Sequence, residues 1–402
     1  MPGTCVGHFY LLSGSGEEDE MRLHEYQSKQ IMASYGIPVP VGYMTNVASD
    51  VKQIAEDIAG PVVIKAQVAV GGRGKAGGIR LAKNPKEAYE LAVMVLGMEI
   101  KGLPVRKVLV EQLVRISEQI YIAIMLDRNL QKPVLLASSE GGINFEEISG
   151  YMTESIARIP IDPLVGINDF QAREIAAMID LPREHWRSFI RIIQAMWSVY
   201  NDCDATSVEI NPLVLTPDRE FLTLDAKILL DDNALYRHLD LSEKRDLDTE
   251  VDLEREARKY GLSYLPMQGE VACVVNGAGM AMLVMDLIKF NGGRPACFLD
   301  IGELVSAEKL DIALDLLLND KSAKAIFINL FSWEPTCVKV AQFLREKLAG
   351  SIPTVVRLSG KDSIEGMKVL QNAHIRTAST LTEAVRNLIS ILHQAEENGH
   401  FD

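Results

Sequence analysis

The sequence lacks any apolar run long enough to cross a membrane, and it is short of positive charge. Its longest apolar segment, residues 271–285, is interrupted by Asn276 and two glycines, whereas a membrane helix needs about 20 apolar residues. Among 402 residues, 41 are Lys or Arg and 55 are Asp or Glu, which gives a net charge of −14. Nucleic acids and anionic membrane surfaces bind to basic patches. We therefore expect no nucleic-acid partner and no membrane.

Cysteine is also scarce, and its spacing contains no CxxC pair. An odd, scattered set of thiols in an acidic chain indicates reduced cysteines and a cytoplasmic protein of bacterial or archaeal type. Two of them, Cys273 and Cys297, lie among apolar residues and are expected in the core. The full set is Cys5, Cys203, Cys273, Cys297 and Cys337.

The first 20 residues show no credible signal or transit peptide. Their apolar run at residues 8–12 is short, they contain no arginine, and residues 17–20 are all acidic. These features exclude a secretory signal and a mitochondrial presequence. We expect residues 1–20 to be a disordered leader or a wrongly assigned start.

The second half of the chain alternates strands with helices. From residue 269 onward, short β-branched runs are separated by amphipathic segments, which is typical of βαβ units and a parallel sheet. Ligands of such sheets bind at the carboxyl ends of the strands. Asn276, Gly302 and Phe331 are expected at that edge.

The first half mixes helices and strands without this alternation. Its pattern predicts one helical stretch over residues 169–201, strands over 206–215 and 220–226, and a charged helical surface arm over 231–262. The length of the chain is that of two or three domains.

Two short segments indicate nucleotide chemistry. A β-branched strand ends at Lys65 and runs into residues 71–78, where five glycines alternate with Arg73, Lys75 and Ala76. Glycine lets backbone N–H groups and nearby cations approach phosphates closely. For Lys65 alone, the alternative is a lysine that snorkels from a strand edge.

The second segment supplies oxygen ligands. Glu209 and Asn211 precede Pro212, and Asp225 follows on the next predicted strand. Carboxylate and amide oxygens suit Mg²⁺. The alternative for the Asn-Pro pair is an ordinary turn.

These motifs resemble those of one family. Residues 21–27 (MRLHEYQ), 71–78 (GGRGKAGG), 209–213 (EINPL) and 275–279 (VNGAG) occur in the order found in the β subunit of succinyl-CoA synthetase, an NDP-forming succinate–CoA ligase. The resemblance implies an α/β fold in which an ATP-grasp domain at residues 21–262 precedes a flavodoxin-like, parallel-sheet CoA-ligase domain at residues 265–397. It also implies an enzyme.

The resemblance implies the ligands of the site. Magnesium would be held by Asn211 and Asp225, and Glu209 would face the phosphorylated histidine as the catalytic carboxylate. Gln119 stands where the family has a glutamate, and Glu118 lies one position out of register, so ATP/ADP and GTP/GDP both stay open. The implied nucleotide contacts are Lys65, Gly72, Arg73, Gly74, Glu111, Val114 and Gln119.

A partner chain is implied as well. In the family the phosphorylated histidine lies on the α subunit, and no histidine here has a Gly-His-Ala-Gly setting. We therefore expect a chain that needs an α subunit for activity, in an αβ or α2β2 assembly. Coenzyme A would bind mainly through that α subunit, and the third substrate would be a small carboxylic acid.

The sequence departs from the family at the implied acid site. Asn276 is retained, but Trp333, Glu334 and Pro335 replace glycine-rich backbone, and Glu303-Leu304 replaces two glycines. These changes close an anion-binding nest and add negative charge. They favour an acid other than succinate. Other hypotheses are side chains turned outward over a working backbone, a non-catalytic regulatory subunit, and a citrate- or malate-type ligase.

Overall fold

The computed structural model describes residues 21–142, 156–246, 252–302, 305–319, 322–348 and 352–397. The chain divides into two compact units, Met1–Thr249 and Glu250–Asp402. The predicted leader at residues 1–20 and the Glu303-Leu304 pair lie outside the described residues. No described helix is both long and apolar enough to cross a membrane.

The first unit contains a seven-stranded antiparallel sheet. Its strand order is β1-β13-β11-β8-β9-β10, and β12 pairs with β11. The strands are β1 Met21–Arg22, β8 Glu118–Asp127, β9 Lys132–Ser138, β10 Ala157–Pro160, β11 Ala205–Leu215, β12 Phe221–Thr223 and β13 Ala226–Leu230.

A four-stranded antiparallel sheet carries the glycine loop. Its order is β2-β7-β3-β4, and one face packs on two helices. Alternate residues of β3, such as Ile64 and Ala66, are buried on that face, which turns Val63 and Lys65 to the other. The strands are β2 Gly42–Thr45, β3 Val62–Ala66, β4 Ile79–Ala82 and β7 Val108–Gln112, with the hairpin β5 Glu99–Ile100 and β6 Leu103–Pro104 and the helices α2 Ala48–Ile58 and α3 Pro85–Leu96.

The other helices of this unit pack on the large sheet. Helix α1 (Glu25–Ser34) follows β1, and the expected helix over 169–201 is divided into α4 (Asp169–Met178) and α5 (Trp186–Asp202). The division arises because Asp180 has a left-handed backbone and Pro182 provides no N–H. A 3-10 turn at Arg183–His185 leads into α5. A 3-10 helix at Asp232–Arg237 and the short helix α6 (Leu239–Ser242) follow β13.

The second unit is a doubly wound sheet. Its order is β14-β16-β15-β17-β18-β19, parallel except for β14. Separate apolar clusters cover its two faces, α7, α9, α10 and α11 on one and α8 and α12 on the other. The strands are β14 Ser263–Pro266, β15 Val271–Val275, β16 Pro295–Asp300, β17 Ala325–Ser332, β18 Thr354–Gly360 and β19 Arg376–Thr377, and the helices are α7 Asp252–Lys259, α8 Ala278–Phe290, α9 Ala307–Asn319, α10 Cys337–Lys347, α11 Ser363–Asn372 and α12 Leu381–Glu397.

The parallel sheet is confirmed, but the start of the second unit differs from the prediction. The division falls between Thr249 and Glu250 rather than between residues 262 and 265. Helix α7 belongs to the second unit because Ala257 is fully buried in its core. The interpretation of residues 231–262 as one surface arm is therefore wrong at its C-terminal end, and the edge strand β14 was not foreseen.

Candidate functional site

One cavity of about 610 Å³ in the first unit is lined by residues of both of its larger sheets. The whole set of predicted nucleotide, metal and catalytic residues contributes to its wall. These residues are Lys65, Gly72, Arg73, Gly74, Glu111, Val114, Gln119, Glu209, Asn211 and Asp225.

The glycine loop closes back on the strand that precedes it. The Gly78 N–H donates to the Arg73 carbonyl at 2.8 Å, and the Ala66 N–H donates to the Gly78 carbonyl at 2.7 Å. A Cβ at Gly78 would lie 2.8 Å from Ile100 Cδ1, and Gly72 has a φ of +82°. The backbone of Gly72 therefore favours glycine, and a side chain at Gly78 would have to displace the end of Ile100.

Lys65 does not snorkel to solvent from its strand. Its side chain is 10% exposed, and Nζ lies 2.8 Å from Glu25 Oε1 and 2.7 Å from Glu111 Oε2. It also donates to the Leu224 carbonyl at 2.5 Å. Burial lowers the pKa of Lys65, but the carboxylates of Glu25, Glu111 and Asp225 outweigh burial and raise it above its ordinary value.

Arg73 reaches two carboxylates at once. Its Nη2 lies 2.8 and 2.7 Å from the two oxygens of Asp225 and 2.6 Å from Glu25 Oε2. Burial lowers the pKa of Arg73, and the charges of Asp225 and Glu25 raise it by more. The loop therefore presents a guanidinium that is fixed at the cavity wall and charged at all working pH values.

Sequence reasoning missed Glu25 and Lys29, which complete this ion network. Lys29 Nζ lies 2.9 Å from Glu25 and 2.6 Å from Glu111, and burial lowers its pKa. Burial would raise the pKa of Glu25, but Arg73, Lys29 and Lys65 hold that pKa well below its ordinary value. The only sequence signal was an i,i+4 pair on α1, which is common on solvent-exposed helix faces.

Glu111 is held between two lysines. The carboxylate is 3% exposed, and Gly42 stands opposite it on β2. A Cβ at Gly42 would lie 2.5 Å from Glu111 Cγ. The strand therefore needs glycine there for Glu111 to fit.

The two predicted metal ligands are joined through the backbone. The Asn211 N–H donates to the Asp225 carbonyl at 3.1 Å, and Asn211 Oδ1 accepts from the Gly142 N–H at 2.6 Å. The strand register shifts between Ile210 and Leu213, so the Asn-Pro pair is a bulge within β11 rather than a free turn. The Asp225 side chain is 36% exposed. Two hard oxygens beside a polyphosphate-sized cavity fit Mg²⁺.

Gly142 leaves room for the side chain of Gln119. It has a φ of +78°, and a Cβ there would lie 2.6 Å from Gln119 Oε1. Glu118, by contrast, does not line the cavity wall as Gln119 does. The alternation of β8 thus turns Gln119 inward, as the spacing predicted.

Glu209 lies opposite Lys227 in the pairing of β11 with β13, and both line the cavity. Cross-strand partners share one face of a sheet. Burial, and then the charge of Glu209, raise the pKa of Tyr121 well above its ordinary value.

The described residues contain no group of three or more His, Cys, Asp and Glu side chains arranged for a metal.

In the second unit, Asn276 holds the end of β17. Its Nδ2 donates to the Phe331 carbonyl at 2.7 Å, and its Oδ1 accepts from the Phe331 N–H at 2.8 Å. Trp333 is 66% exposed, and the Glu334 side chain is 69% exposed with Lys339 Nζ at 3.8 Å. Ser332 Oγ donates to the Pro335 carbonyl. The four predicted substrate residues thus meet at the carboxyl edge of the parallel sheet.

Comparison with known families defines the class of protein. Residues 22–215 match the ATP-grasp domain, and residues 274–391 match the CoA-ligase domain. An ATP citrate lyase from Methanothrix soehngenii, solved with citrate and coenzyme A, has the same fold. Its TM-score is 0.71 at 20% identity, over 92% of this chain and 100% of that one.

Curated relatives narrow the class. The succinate–CoA ligase [ADP-forming] subunit beta of Herpetosiphon aurantiacus is 42% identical over 378 residues, which covers 93% of this chain and 100% of the relative. The succinate–CoA ligase [GDP-forming] subunit beta of Thermus thermophilus is 42% identical over 375 residues, 92% of this chain and 99% of the relative. The chain belongs to the succinate–CoA ligase β-subunit family, a family of ligases whose ATP-grasp domain binds nucleotide.

Proposed function

We propose that this chain is the β subunit of an NDP-forming acid–CoA ligase. It binds a magnesium nucleotide in the first unit and exchanges phosphate with a phosphohistidine on an α subunit. The observation that carries the proposal is that all ten predicted nucleotide, metal and catalytic residues line the same cavity, which has a volume of about 610 Å³.

The cations of the cavity suit a polyphosphate. Lys65 and Arg73 are buried donors with fixed positions, and Gly72 and Gly74 leave their backbone open to close approach. Asn211 and Asp225 would hold magnesium, which when bound neutralises charge on the phosphate oxygens and aligns them for transfer. The residues supply orientation and charge, and no covalent step on this chain is needed.

Glu209 is suited to receive the partner's histidine. A carboxylate at the cavity wall can orient an imidazole and stabilise the imidazolium that forms as phosphate leaves. Lys227 lies beside it across the sheet. The relatives are named as β subunits, which supports an α partner that supplies the histidine and most of the coenzyme A contacts. We propose assembly as αβ or α2β2, and a cytoplasmic site of action.

The first test measures nucleotide binding by calorimetry with the full chain. We expect binding of MgADP or MgGDP, weakened at least about tenfold by Lys65→Ala or Asp225→Ala, because each change removes a charge-assisted contact. Lys86→Ala is the matched control, since that side chain is 85% exposed. Folded protein that binds neither nucleotide would contradict the proposal. Gln119 leaves both bases open, so the two titrations also decide between them.

A second test concerns the α partner. Full chain incubated with radiolabelled ATP should acquire no acid-labile phosphohistidine, and label should appear on the α chain once that chain is added. Glu209→Gln should slow this labelling while nucleotide binding survives. Labelling of this chain by itself would refute the division of roles, and binding without any transfer to α would favour a regulatory subunit.

A second candidate is a ligase for an acid other than succinate. It is favoured by Trp333, Glu334 and Pro335, which stand at the sheet edge where the family offers glycine-rich backbone. A carboxylate that loses these donors and meets Glu334 would lose roughly 2–4 kcal/mol, or about 30- to 1,000-fold in affinity. Lys339 at 3.8 Å from Glu334 offsets part of this loss.

A panel of acids assayed with the reconstituted α–β pair tests this candidate. We expect a monocarboxylate or a longer dicarboxylate to exceed succinate in kcat/KM. The variant Trp333→Gly with Glu334→Gly should move the preference toward succinate. If succinate has the highest kcat/KM in the wild-type pair, the argument from this loop is wrong.

A further inference from the structure

Six charged side chains form one connected ion network at the cavity wall, and all but Lys29 line the cavity. Three are cations and three are carboxylates, so the network has no formal net charge. Five of the six have side chains no more than 11% exposed. The members are Glu25, Lys29, Lys65, Arg73, Glu111 and Asp225.

Glu25 is the centre of this network. It lies 2.9 Å from Lys29, 2.8 Å from Lys65 and 2.6 Å from Arg73, with a side chain only 1% exposed. Its Oε2 also accepts from Gln67 Nε2 at 3.2 Å. Each proposed phosphate donor thus has Glu25 as one of its partners.

Arg73 stands between Glu25 and the proposed metal ligand. Both Asp225 oxygens face its Nη2, at 2.8 and 2.7 Å, while Glu25 holds the same nitrogen at 2.6 Å. Both Asp225 oxygens are directed at one guanidinium nitrogen, and a divalent cation bound to the same carboxylate would be repelled by the charge of Arg73. Metal binding at Asp225 therefore competes directly with Arg73.

We infer that Glu25 is a positioning residue that keeps its contact with Arg73 throughout. Arg73 couples metal binding to nucleotide binding, because it exchanges its contact with Asp225 for a contact with a phosphate when the metal binds. The inference rests on the proposed function. Without Glu25, Asp225 would carry the whole carboxylate contact with the buried guanidinium, which would tighten that ion pair. Arg73 would then stay on Asp225 and oppose the metal.

The consequence is measurable as a coupling factor, the Kd of ADP in EDTA divided by the Kd of ADP with saturating Mg²⁺. Coupling of this kind is reciprocal between the two ligands. Replacing Glu25 by Gln should lower the factor about tenfold or more by weakening MgADP binding. Binding of metal-free ADP should stay within about threefold, because Lys65 and Arg73 keep their charges. A purely structural role would weaken both titrations together.

The variants are chosen to keep the protein folded. Glu25→Gln alone leaves three buried cations with two carboxylates, so the test is carried by the double variant Glu25→Gln with Lys29→Met, which restores the charge balance. Lys29→Met alone is the matched control. Lys29 contacts Glu25, Glu111 and the Leu224 carbonyl, and it does not line the cavity.

Calorimetric titration of the full chain with ADP, with and without Mg²⁺, decides the inference. We expect the double variant to lose coupling about tenfold or more, while Lys29→Met keeps at least the wild-type factor. Two results would overturn the role of Glu25 and leave the proposed function standing. One is a wild-type coupling factor in the folded double variant, and the other is a loss of coupling in Lys29→Met as large as that in the double variant. Folded wild-type protein that binds ADP in neither condition overturns the proposed function and this inference together.

Discussion

Replacing Lys65 by Met tests how much the buried network depends on its central cation. The change keeps the length of the side chain and removes the ammonium group from between Glu25 and Glu111. Three acceptors lose their contact with Nζ: Glu25 at 2.8 Å, Glu111 at 2.7 Å and the Leu224 carbonyl at 2.5 Å. Because the side chain is 10% exposed, water cannot replace the ammonium group without rearrangement of the site.

The expected loss follows from this burial. Removing one partner of a buried ion pair destabilises a protein by about 3–5 kcal/mol. The control, Lys86→Met, removes a side chain that is 85% exposed and 3.9 Å from Glu90. Such exposed pairs contribute within about 0.5 kcal/mol. The loss in free energy of unfolding should therefore be several-fold larger for Lys65→Met than for Lys86→Met.

The loss should also depend on pH. Burial would raise the pKa of Glu25, but Arg73, Lys29 and Lys65 hold it well below its ordinary value. A depressed folded pKa contributes stability above the unfolded pKa of about 4.3, and that stability is lost as the pH falls through the folded pKa. Lys65→Met removes part of this contribution. The loss in free energy of unfolding that it causes should therefore be full at pH 7 and smaller below about pH 4.

Urea unfolding of the first unit measures both effects. In a Trp333→Phe background, the remaining fluorescence comes from Trp186 and Trp197, which lie in the first unit. Agreement with far-UV circular dichroism checks that the transition is two-state. A Lys65→Met penalty equal to that of Lys86→Met, or a penalty that grows as the pH falls, would refute the reasoning.

Three further predictions concern other parts of the chain. Gly142→Ala should lower the affinity for MgADP about tenfold, because Gly142 has a left-handed backbone and lies too close to Gln119 for a Cβ. Calorimetry measures this affinity, and unchanged binding would contradict the geometry. In protein labelled with fluorotryptophan, Asn276→Ala should shift only the ¹⁹F resonance of Trp333, since both hydrogen bonds from the Asn276 side chain to the Phe331 backbone are lost. A spectrum with no shift would show that Asn276 does not hold the segment after β17. The four described cysteines are buried, and burial raises the pKa of Cys203 to about 11. In a Cys5→Ser background, Ellman's reagent at pH 8 should therefore react only on unfolding. Rapid reaction of that native variant would disprove their burial. The four cysteines are Cys203, Cys273, Cys297 and Cys337.

The residues that line the candidate site could be named from the sequence because their signals are local. The strand that leads to Lys65, the glycine loop after it and the Asn211-Pro212 pair are each visible in a few consecutive residues, although the bulge at Asn211 itself forms by pairing with the distant strand β8. Strand alternation then decides that Gln119 rather than Glu118 faces the cavity. Motif order brought these pieces together without knowledge of the sheet order.

Glu25 and Lys29 could not be found in this way. An acidic residue in the first turn of α1 is the ordinary partner of a helix dipole, and a lysine four residues later is the ordinary partner of that acid. What makes them part of the site is the position of α1, which brings Glu25 to residues 40 and 48 positions later in the chain. Only tertiary packing contains that information.

The start of the second unit was misplaced for a related reason. Helix α7 is an eight-residue segment, DLEREARK, whose composition is that of a solvated helix. Its attachment to the core depends on one small residue, Ala257, and on the partly buried Leu253. Two apolar positions in eight residues give too weak a period to distinguish a packed helix from a linker.

The charge balance of the network bears on how an acidic chain binds a polyanion. With a net charge of −14, the protein repels free nucleotide at long range. Lys65 and Arg73 are already neutralised by carboxylates, so the cavity itself offers little net positive charge. A divalent cation held at Asp225, as proposed above, would change this balance, since it would free Arg73 from one carboxylate and add charge of its own. The proposed arrangement would therefore favour the magnesium complex over the bare nucleotide, and the residues around Asp225 would use the metal in recognition as well as in transfer.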